Sequence, residues 1–485
     1  MTARALYRTT ETGAAAPAGE IAPARAARLR IGPATLLVVL SALFGAACIL
    51  LNPPMRGPDE PAHFARAYAY AQGIVLPQTE VGGRKGLFIP ADIHDDYAFF
   101  ASRRGDIWKD GFSYRSVVAE YGARPAPQPG RAPVFIPFEG TEGYSPVAYA
   151  PHAVAGALAR AMGLDFLQTI TLMRAFGLAA FTAVAAVAVA AAPRLQWAFF
   201  LIAMLPAAVY GRSVVGADGA TNSLALLVTA LALRAASGLN GAGAGRRALW
   251  TTLAVLAKPP QLIFILLEPM VHRFRDLPRR WKAVALVVLP GLVLSPLWIW
   301  AVDAEMAAWR LYASGKYPRE HFEVGWKLAF MADNPLHFPR VMLASLTGEL
   351  AGLSRQAVGV LGWLDTRLHW LAYPVIGALL AVAAVDRLGL DGAARARIAA
   401  WSLAIVVGYT VGVYLILFIT WTPPGEPAVW GVQGRYFVAV MPPAALAVAA
   451  LVNRRMPFAG MAAVTGALVS GAATVEALWR VNWTP

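Results

Sequence analysis

Long apolar segments recur along this chain and constrain its fold more than any other feature. The first runs from Ala34 to Leu51, about 18 residues, which is long enough to cross the hydrocarbon core of a bilayer as a helix. Hydrophobic residues make up 58% of the 485 residues, and charged residues only 14%. We therefore predict an all-α polytopic membrane protein with about eleven transmembrane helices. The ten later segments lie at roughly 170–192, 196–212, 217–236, 248–257, 260–271, 283–302, 370–386, 399–420, 436–453 and 457–478.

The distribution of basic residues predicts how these segments are oriented. Lysine and arginine number 42 against 28 acidic residues, a formal net charge of +14. In a soluble protein this balance suggests nucleic-acid binding, but here the bases concentrate in short connections, as they do in cytoplasmic loops. Arg25, Arg28 and Arg30 place the N-terminus inside, so the first segment ends outside at Asn52. We expect a multi-pass protein of the bacterial inner membrane that binds no nucleic acid.

Polar regions divide the chain into a tail, a membrane domain and two large external loops. Residues 1–32 lack apolar periodicity, which predicts a disordered cytoplasmic tail. Residues 33–480 are predicted to form a single membrane domain, with periplasmic loops at 53–169 and 303–369. The apolar segment 144–163 contains two prolines, a histidine and an arginine, and a span there would invert every later loop. We therefore predict that it lies on the outer membrane surface as a helix.

Short motifs exclude several classes of protein. The single cysteine, Cys48, lies in the first apolar segment, which argues against a disulfide framework or a thiolate metal site. The sequence has no HExxH, P-loop or GxGxxG motif of the kind found in zinc proteases and nucleotide enzymes.

The segments on either side of Lys258-Pro259-Pro260 are each too short to span. They are typical of a broken pair of half-spans, which is tolerated where backbone lines a cavity.

Several polar side chains are predicted to lie near the outer membrane face. Asp59 and Glu60 follow the first segment within NPPMRGPDEP. Ionisable residues at a membrane edge are costly, so a functional role is the first hypothesis for each of them. The other candidates on this side are His63, Arg174, Asp218, Lys258, Asp365, Gln433, Arg435 and Tyr436.

Each candidate also has a structural interpretation that the sequence leaves open. Asp59, followed by Glu60 and Pro61, is typical of a helix N-cap, and Gly73 is a natural stop for the helix. Lys258 can extend its ammonium group to the membrane interface. Ion pairing or extension to the interface is open for Arg174, and capping of the next span is open for Asp218. Ligand contact is favoured over interfacial anchoring for Arg435, and a plain interfacial histidine is favoured for His63.

These residue types suit transfer of a group from a lipid-linked phosphate. A carboxylate at the membrane surface can take a proton from an acceptor hydroxyl or amine. Arginine holds phosphate bidentately, and lysine holds it as a point charge. Because no nucleotide pool exists outside a bacterial inner membrane, a phosphate-bearing donor there is expected to be lipid-linked. No cofactor is predicted with certainty. The carboxylates and histidine of ADIHDD (91–96) are candidate ligands for a divalent cation. A solvated acidic loop is the simpler interpretation of this run.

Six motifs follow one another in a defined order. They are GPDEPAHFARAYAYAQG (57–73), YSPVAYAP (144–151), SVVGADGATNSLALL (213–227), the Lys258-Pro259 step, GWLD (362–365) and QGRYF (433–437). Together they resemble a family of predicted bacterial multi-pass membrane proteins, domain of unknown function 2142, over roughly 35–455. That family is similar in layout to the GT-C glycosyltransferases, which use polyprenyl-phosphate sugars and carry an acidic motif in their first external loop.

The resemblance implies roles for particular residues by analogy. It implies that Asp59 is the general base and that Glu60 supports it or binds the acceptor or a metal. It also makes Arg435, Lys258 and Arg174 candidates for contact with the lipid phosphate. The leading prediction is an inverting glycosyltransferase that transfers a sugar from a polyprenyl-phosphate donor to an envelope glycan, lipid or protein at the periplasmic face.

Two other functions stay open at the level of sequence. A transporter or flippase for a lipid-linked glycan needs polar groups near the bilayer centre that both sides can reach, and the candidates lie at the outer edge instead. A non-catalytic scaffold for polysaccharide assembly needs these residues only for the stability of its fold.

Overall fold

Long apolar helices dominate the protein. The computed structural model describes residues 31–80, 83–109, 111–125, 130–138, 140–302, 315 and 317–484. Within that part of the chain, seven helices are long and apolar enough to cross a membrane, which confirms the predicted all-α membrane class. They are Pro33–Leu51, Phe166–Ala191, Asp218–Ala236, Pro278–Val302, Gly392–Thr420, Gly434–Val452 and Ala459–Trp483.

Shorter helices account for the rest of the predicted spans, and the count of eleven is not confirmed. Pro259–Val271 and Ala372–Ala384 are apolar but short. The segment predicted as one span at 196–212 is not one continuous helix, because it divides into two helices, Gln196–Ala203 and Pro206–Ser213. Pro206 lacks a backbone N–H and therefore begins a new helix instead of continuing the old one. The remaining α-helices of the described residues are Glu60–Ala71, Ala91–Ser102, Tyr114–Gly122, Pro146–Ala161, Ala244–Ala257, Val324–Asp333 and His337–Gly359.

The break predicted at Lys258 is confirmed. Lys258 is extended, with φ −156° and ψ 130°, and it separates the α-helix Ala244–Ala257 from the 3-10 helix Pro259–Leu266. A residue before proline is pushed out of the helical region by contact with the proline ring, and two successive prolines lack the N–H groups that would continue the ladder. The lysine is thereby held at the end of a helix.

Close approach of small residues packs the long helices together. The helix Asp218–Ala236 is the most enclosed of the seven, because 78% of the residues in its apolar 18-residue stretch are buried inside the protein. Around it, a Cβ added to Gly45 would lie 2.5 Å from the Leu178 side chain, and one added to Gly471 would lie 2.2 Å from the Phe44 ring. Glycine is needed at both positions because the neighbouring helix occupies the space of a side chain.

The region predicted as the first external loop contains a small sheet as well as helices. Strands Gln78–Thr79, Lys85–Ile89 and Val134–Pro137 pair antiparallel in that order, with Ile89 opposite Val134. A second, two-stranded sheet joins Val360–Leu361 to Thr366–Arg367.

The surface position predicted for 144–163 stays a prediction, although the helix itself is present at Pro146–Ala161.

Residues from Pro33 onward form one compact unit. The tail predicted for residues 1–32 lies, apart from Ile31 and Gly32, outside the described residues. The helix Phe166–Ala191 has a clearly defined start. Asp165 and Gln168 form a reciprocal capping box that starts the helix Phe166–Ala191, with bonds of 2.8 and 3.1 Å.

Candidate functional site

The backbone at Asp59 turns its carboxylate away from the helix that follows. Asp59 has φ 53° and ψ 21°, a left-handed conformation that aspartate adopts more readily than most residues. Its side chain makes no capping bond to the helix Glu60–Ala71, so the predicted N-cap interaction is wrong. The predicted stop is confirmed, because the helix ends just before Gly73, at φ 77°.

Asp59 belongs to an ion network, defined here as Asp59, Arg435, Asp218 and Lys258. Arg435 donates from one terminal nitrogen to Asp59 and from the other to Oδ2 of Asp218, at 2.9 Å. Lys258 donates to Oδ1 of Asp218 at 3.2 Å. The structure thus brings together four candidates from four separate segments, and 376 positions separate Asp59 from Arg435.

The four members of the network differ in their exposure. The side chain of Asp59 is 44% exposed, whereas those of Arg435 and Lys258 are 9% exposed and that of Asp218 is 13% exposed. Two cations are therefore held out of water by two carboxylates, a pairing that avoids the cost of an isolated buried charge. Asp59 is the most exposed member of the network.

Aromatic and amide groups restrict the two cations further. The Lys258 ammonium lies 4.3 Å from the centre of the Tyr436 ring and 5.9 Å from that of Tyr144. The face of an aromatic ring attracts a cation, most strongly where water is excluded. Gln433 accepts a hydrogen bond from Nε of Arg435, so both ends of that guanidinium are fixed.

Glu60, next to Asp59 in the sequence, is completely buried. Its carboxylate accepts from Nε and Nη2 of Arg174, at 2.8 and 2.6 Å, and from the backbone N–H groups of Gly57 and Val215. Arg174 also donates to the carbonyl oxygens of Asn52 and Pro53. A contact between Glu60 and an acceptor or a metal does not fit this environment, because protein groups already surround the carboxylate.

Asp365 lies in a third ion pair. Both of its oxygens accept from Arg56, at 2.8 and 2.9 Å, and Arg56 also donates to the carbonyl of Arg104. Asp365 has no bond to the ion network within the described part of the chain. Arg56 and Asp59 lie in the loop before the helix Glu60–Ala71, and Glu60 begins that helix, so three ion pairs with distant segments fix the loop and its end in place.

His63 is an uncharged neighbour of the network. The residue is 4% exposed, its Nδ1 contacts the Tyr149 hydroxyl, and its ring lies edge-on to Tyr144. Burial lowers the pKa of His63 to about 4, so the ring is neutral at pH 7. A neutral imidazole packs against Tyr144 and Tyr149 and does not supply a positive charge for a phosphate.

Sequence reasoning missed Arg56 and Tyr144. Arg56 lies only three residues before Asp59, so its place in the same charged loop was a usable signal. Tyr144 begins the motif YSPVAYAP, but nothing in that motif predicts that its ring lies near Lys258, more than a hundred residues later.

The acidic run at 91–96 is engaged with arginines. Asp96 accepts from Arg124 at 2.8 Å and from the Tyr121 hydroxyl at 2.9 Å, and Asp95 pairs with Arg131. Among the described residues, no three His, Cys, Asp or Glu side chains are grouped so as to hold a metal ion. These contacts favour a structural interpretation of the run.

Comparison with known proteins places the chain in a family. Residues 42–444 match the family model DUF2142, described as a predicted membrane protein. The chain belongs to the DUF2142 family. The DUF2142 region contains all four members of the ion network, whereas the last long helix, Ala459–Trp483, lies beyond it. Neither a curated protein nor a solved structure matches the chain.

Proposed function

We propose that this DUF2142 protein is a glycosyltransferase that moves a sugar from a polyprenyl-phosphate donor to an envelope glycan, lipid or protein. It acts at the periplasmic face of the bacterial inner membrane. The observation that supports this most is the exposed carboxylate of Asp59 in contact with the buried guanidinium of Arg435. A base that an acceptor can reach thus lies beside a cation that can hold a phosphate.

The backbone of Asp59 favours a functional role for this residue. A left-handed conformation costs a residue other than glycine roughly 1–3 kcal/mol, and such strain clusters at functional sites. At Asp59 the side chain makes no capping bond to the helix that follows. In this strained backbone conformation the carboxylate instead accepts a hydrogen bond from Arg435. The loop tolerates it because the neighbouring pairs Glu60–Arg174 and Arg56–Asp365 anchor the backbone on both sides.

The proposed reaction is a single displacement at the anomeric carbon. The acceptor oxygen forms a bond to that carbon while Asp59 accepts the proton of the acceptor hydroxyl. The bond between the anomeric carbon and the phosphate oxygen breaks, and polyprenyl phosphate leaves with the electron pair. Arg435 and Lys258 stabilise the negative charge on the leaving phosphate. Attack and departure on opposite faces of the sugar give inversion.

Asp218 acts as a positioning residue in this scheme. Its two oxygens accept from Arg435 and Lys258, which holds both cations on one side of Asp59. The phosphate contact predicted for Arg174 is not part of the proposal, because Arg174 lies outside the ion network and pairs with the buried carboxylate of Glu60. Arg174 and Glu60 instead hold the loop that carries the base.

The acceptor approaches along a groove beside Asp59. A cavity of about 590 Å³ is lined by Pro61, two residues after Asp59, and by aromatic side chains from three segments. Trp108 is 72% exposed and Trp363 is 39% exposed, and the Arg104 guanidinium lies 4.2 Å from the Trp363 ring centre. Exposed rings beside a polar group suit a sugar, whose C–H face packs on an aromatic surface while its hydroxyls stay hydrated.

Loss of the two tryptophans tests this acceptor groove. Trp108→Ala combined with Trp363→Ala is expected to raise the KM for the acceptor roughly tenfold, with kcat little changed, because only binding area is removed. Steady-state kinetics at saturating donor measure this effect. Trp370→Ala removes a ring of similar exposure, 69%, outside the groove and serves as the control. An unchanged KM for the acceptor in the double variant would exclude the groove.

Reconstitution tests the activity itself. The purified protein in proteoliposomes is given a polyprenyl-phosphate donor with a radiolabelled sugar and a panel of envelope acceptors. Transfer of label to an acceptor is expected for the wild type, and loss of that transfer is expected for Asp59→Asn. Movement of the intact donor across the bilayer without any product would instead identify a flippase. Neither transfer nor movement would leave a scaffold as the remaining explanation.

A further inference from the structure

A large open cavity lies far from the ion network. It has a volume of about 1320 Å³ and is enclosed by the turn 238–243, the segment 271–276 and the start of the helix Gly392–Thr420. Two helices separate it from the network. Asp218–Ala236 has 19 residues and Ala244–Ala257 has 14, which corresponds to about 28 and 21 Å at 1.5 Å per residue.

The two helices place the cavity at the opposite end of the bundle. Asp218 and Lys258 lie at the ends nearest the network, whereas Ala236 and Ala244 lie at the ends that line the cavity. A separation of about 28 Å is close to the thickness of the hydrocarbon core. If the network lies at the periplasmic face, the cavity therefore opens at the cytoplasmic one.

Arginine dominates the charge of the cavity lining. Arg273, Arg275 and Arg280 are exposed, and Arg397 is partly buried. Arg273 and Arg280 have no ion-pair partner among the described residues, whereas Arg275 lies 3.9 Å from Asp276. Positive charge without an ion-pair partner in the described residues therefore faces an open space large enough for a ligand.

Two further carboxylates near the cavity form no ion pair with Arg273 or Arg280 in the described part of the chain. Glu268 accepts from both Arg247 and His272, at 2.6 to 2.9 Å. Asp391 accepts from the backbone N–H of Ala394 and caps the helix Gly392–Thr420. Both acids are thus committed to partners other than Arg273 and Arg280.

The glycine-rich turn leaves room for a ligand beside these charges. A Cβ added to Gly243 or Gly245 would meet no atom within 4 Å, so packing does not require glycine at either position. The helix Ala244–Ala257 begins there without a side-chain cap. Its first backbone N–H groups are therefore available to an anion, in addition to the arginines.

We propose that this cavity binds a phosphate-bearing ligand, with Arg273 and Arg280 as the main contacts and Arg397 as a third. Guanidinium groups suit phosphate because they donate two parallel hydrogen bonds. Basic pockets between membrane helices on the cytoplasmic side bind anionic lipid headgroups. A phosphate on a lipid headgroup and a phosphate on a soluble compound offer the same chemistry to these residues.

The test uses the full-length protein and two probes. In one arm, native mass spectrometry measures phosphatidylglycerol retained after extraction from nanodiscs that contain equal amounts of phosphatidylglycerol and phosphatidylcholine. In the other arm, calorimetry measures binding of inorganic pyrophosphate. The variant Arg273→Gln with Arg280→Gln removes two exposed side chains with no ion-pair partner in the described part of the chain. Its fold is therefore expected to be unchanged.

A matched variant separates a built site from general surface charge. Arg454→Gln with Arg455→Gln removes the same charge from exposed residues outside the cavity. We expect the cavity variant to lose roughly tenfold or more in binding of at least one probe, and the matched variant to bind like the wild type. Selective loss of the lipid identifies a headgroup, and selective loss of pyrophosphate identifies a soluble ligand.

Three results would overturn the proposal. The first is wild-type binding by the cavity variant in both arms, and the second is an equal loss in the two variants. The third is failure of the wild type to bind either probe. None of these outcomes depends on glycosyl transfer, so the proposal stands or falls separately from the proposed function.

Discussion

Asp59→Asn is expected to lower the rate of glycosyl transfer by about 10²- to 10⁴-fold, the usual contribution of a general base. Asparagine is nearly the same size as aspartate and tolerates the left-handed backbone that the structure has at this position. Its amide oxygen can still accept a bond from Arg435. The variant therefore loses the ability to take a proton while it keeps the shape of the loop.

The measurement is transfer of radiolabelled sugar in proteoliposomes, with membrane insertion and thermal unfolding checked in parallel. Asp333→Asn provides a matched control, because Asp333 is exposed at the end of the helix Val324–Asp333 and lies outside the network. We expect the control to match the wild type. Full activity of Asp59→Asn with intact folding would remove Asp59 from the mechanism.

Arg174→Met is expected to destabilise the protein by about 3–5 kcal/mol, because it leaves the Glu60 carboxylate buried and without its charged partner. Two backbone N–H groups, from Gly57 and Val215, would be the main remaining donors to that carboxylate. Adding Glu60→Gln to Arg174→Met removes the uncompensated charge, so the double variant should recover part of the stability.

Thermal unfolding in detergent compares these variants with a control at an exposed ion pair. Arg131 and Asp95 form such a pair, with side chains 40% and 33% exposed. Exposed pairs contribute about 0–1 kcal/mol, so Arg131→Met should unfold close to the wild-type temperature. If Arg174→Met were as stable as Arg131→Met, the buried pair would not be what anchors the loop.

The sequence predicted the elements that depend on local composition. Apolar length located the long helices, and the prolines after Lys258 located the break, because both follow from the backbone and from the thickness of a bilayer. The division of 196–212 was not predicted, since its apolar composition outweighed the signal of a single proline at Pro206. The small sheet in the first loop was missed because its strands are short and because Lys85–Ile89 pairs with Val134–Pro137 across 45 positions or more, as at Ile89 and Val134.

The candidate site could be predicted only as a set of residues on one face. Topology alone predicted that Asp59, Asp218, Lys258 and Arg435 lie on the same side of the membrane. The partners could not be predicted, because Asp59 meets Arg435 across 376 positions through tertiary packing. Asp59 and Glu60 are identical in charge and adjacent in sequence, yet one is exposed and the other is fully buried. Burial of that kind depends on which helices pack around the loop.

The most direct test of the proposed function is a product analysis on the wild-type protein in proteoliposomes. The donor is a polyprenyl-phosphate sugar labelled in both the sugar and the phosphate. The proposed displacement predicts one free polyprenyl phosphate for each sugar attached to an acceptor, and an inverted anomeric configuration in the product. Recovery of the donor intact on the opposite side of the bilayer, with no labelled acceptor, would contradict it.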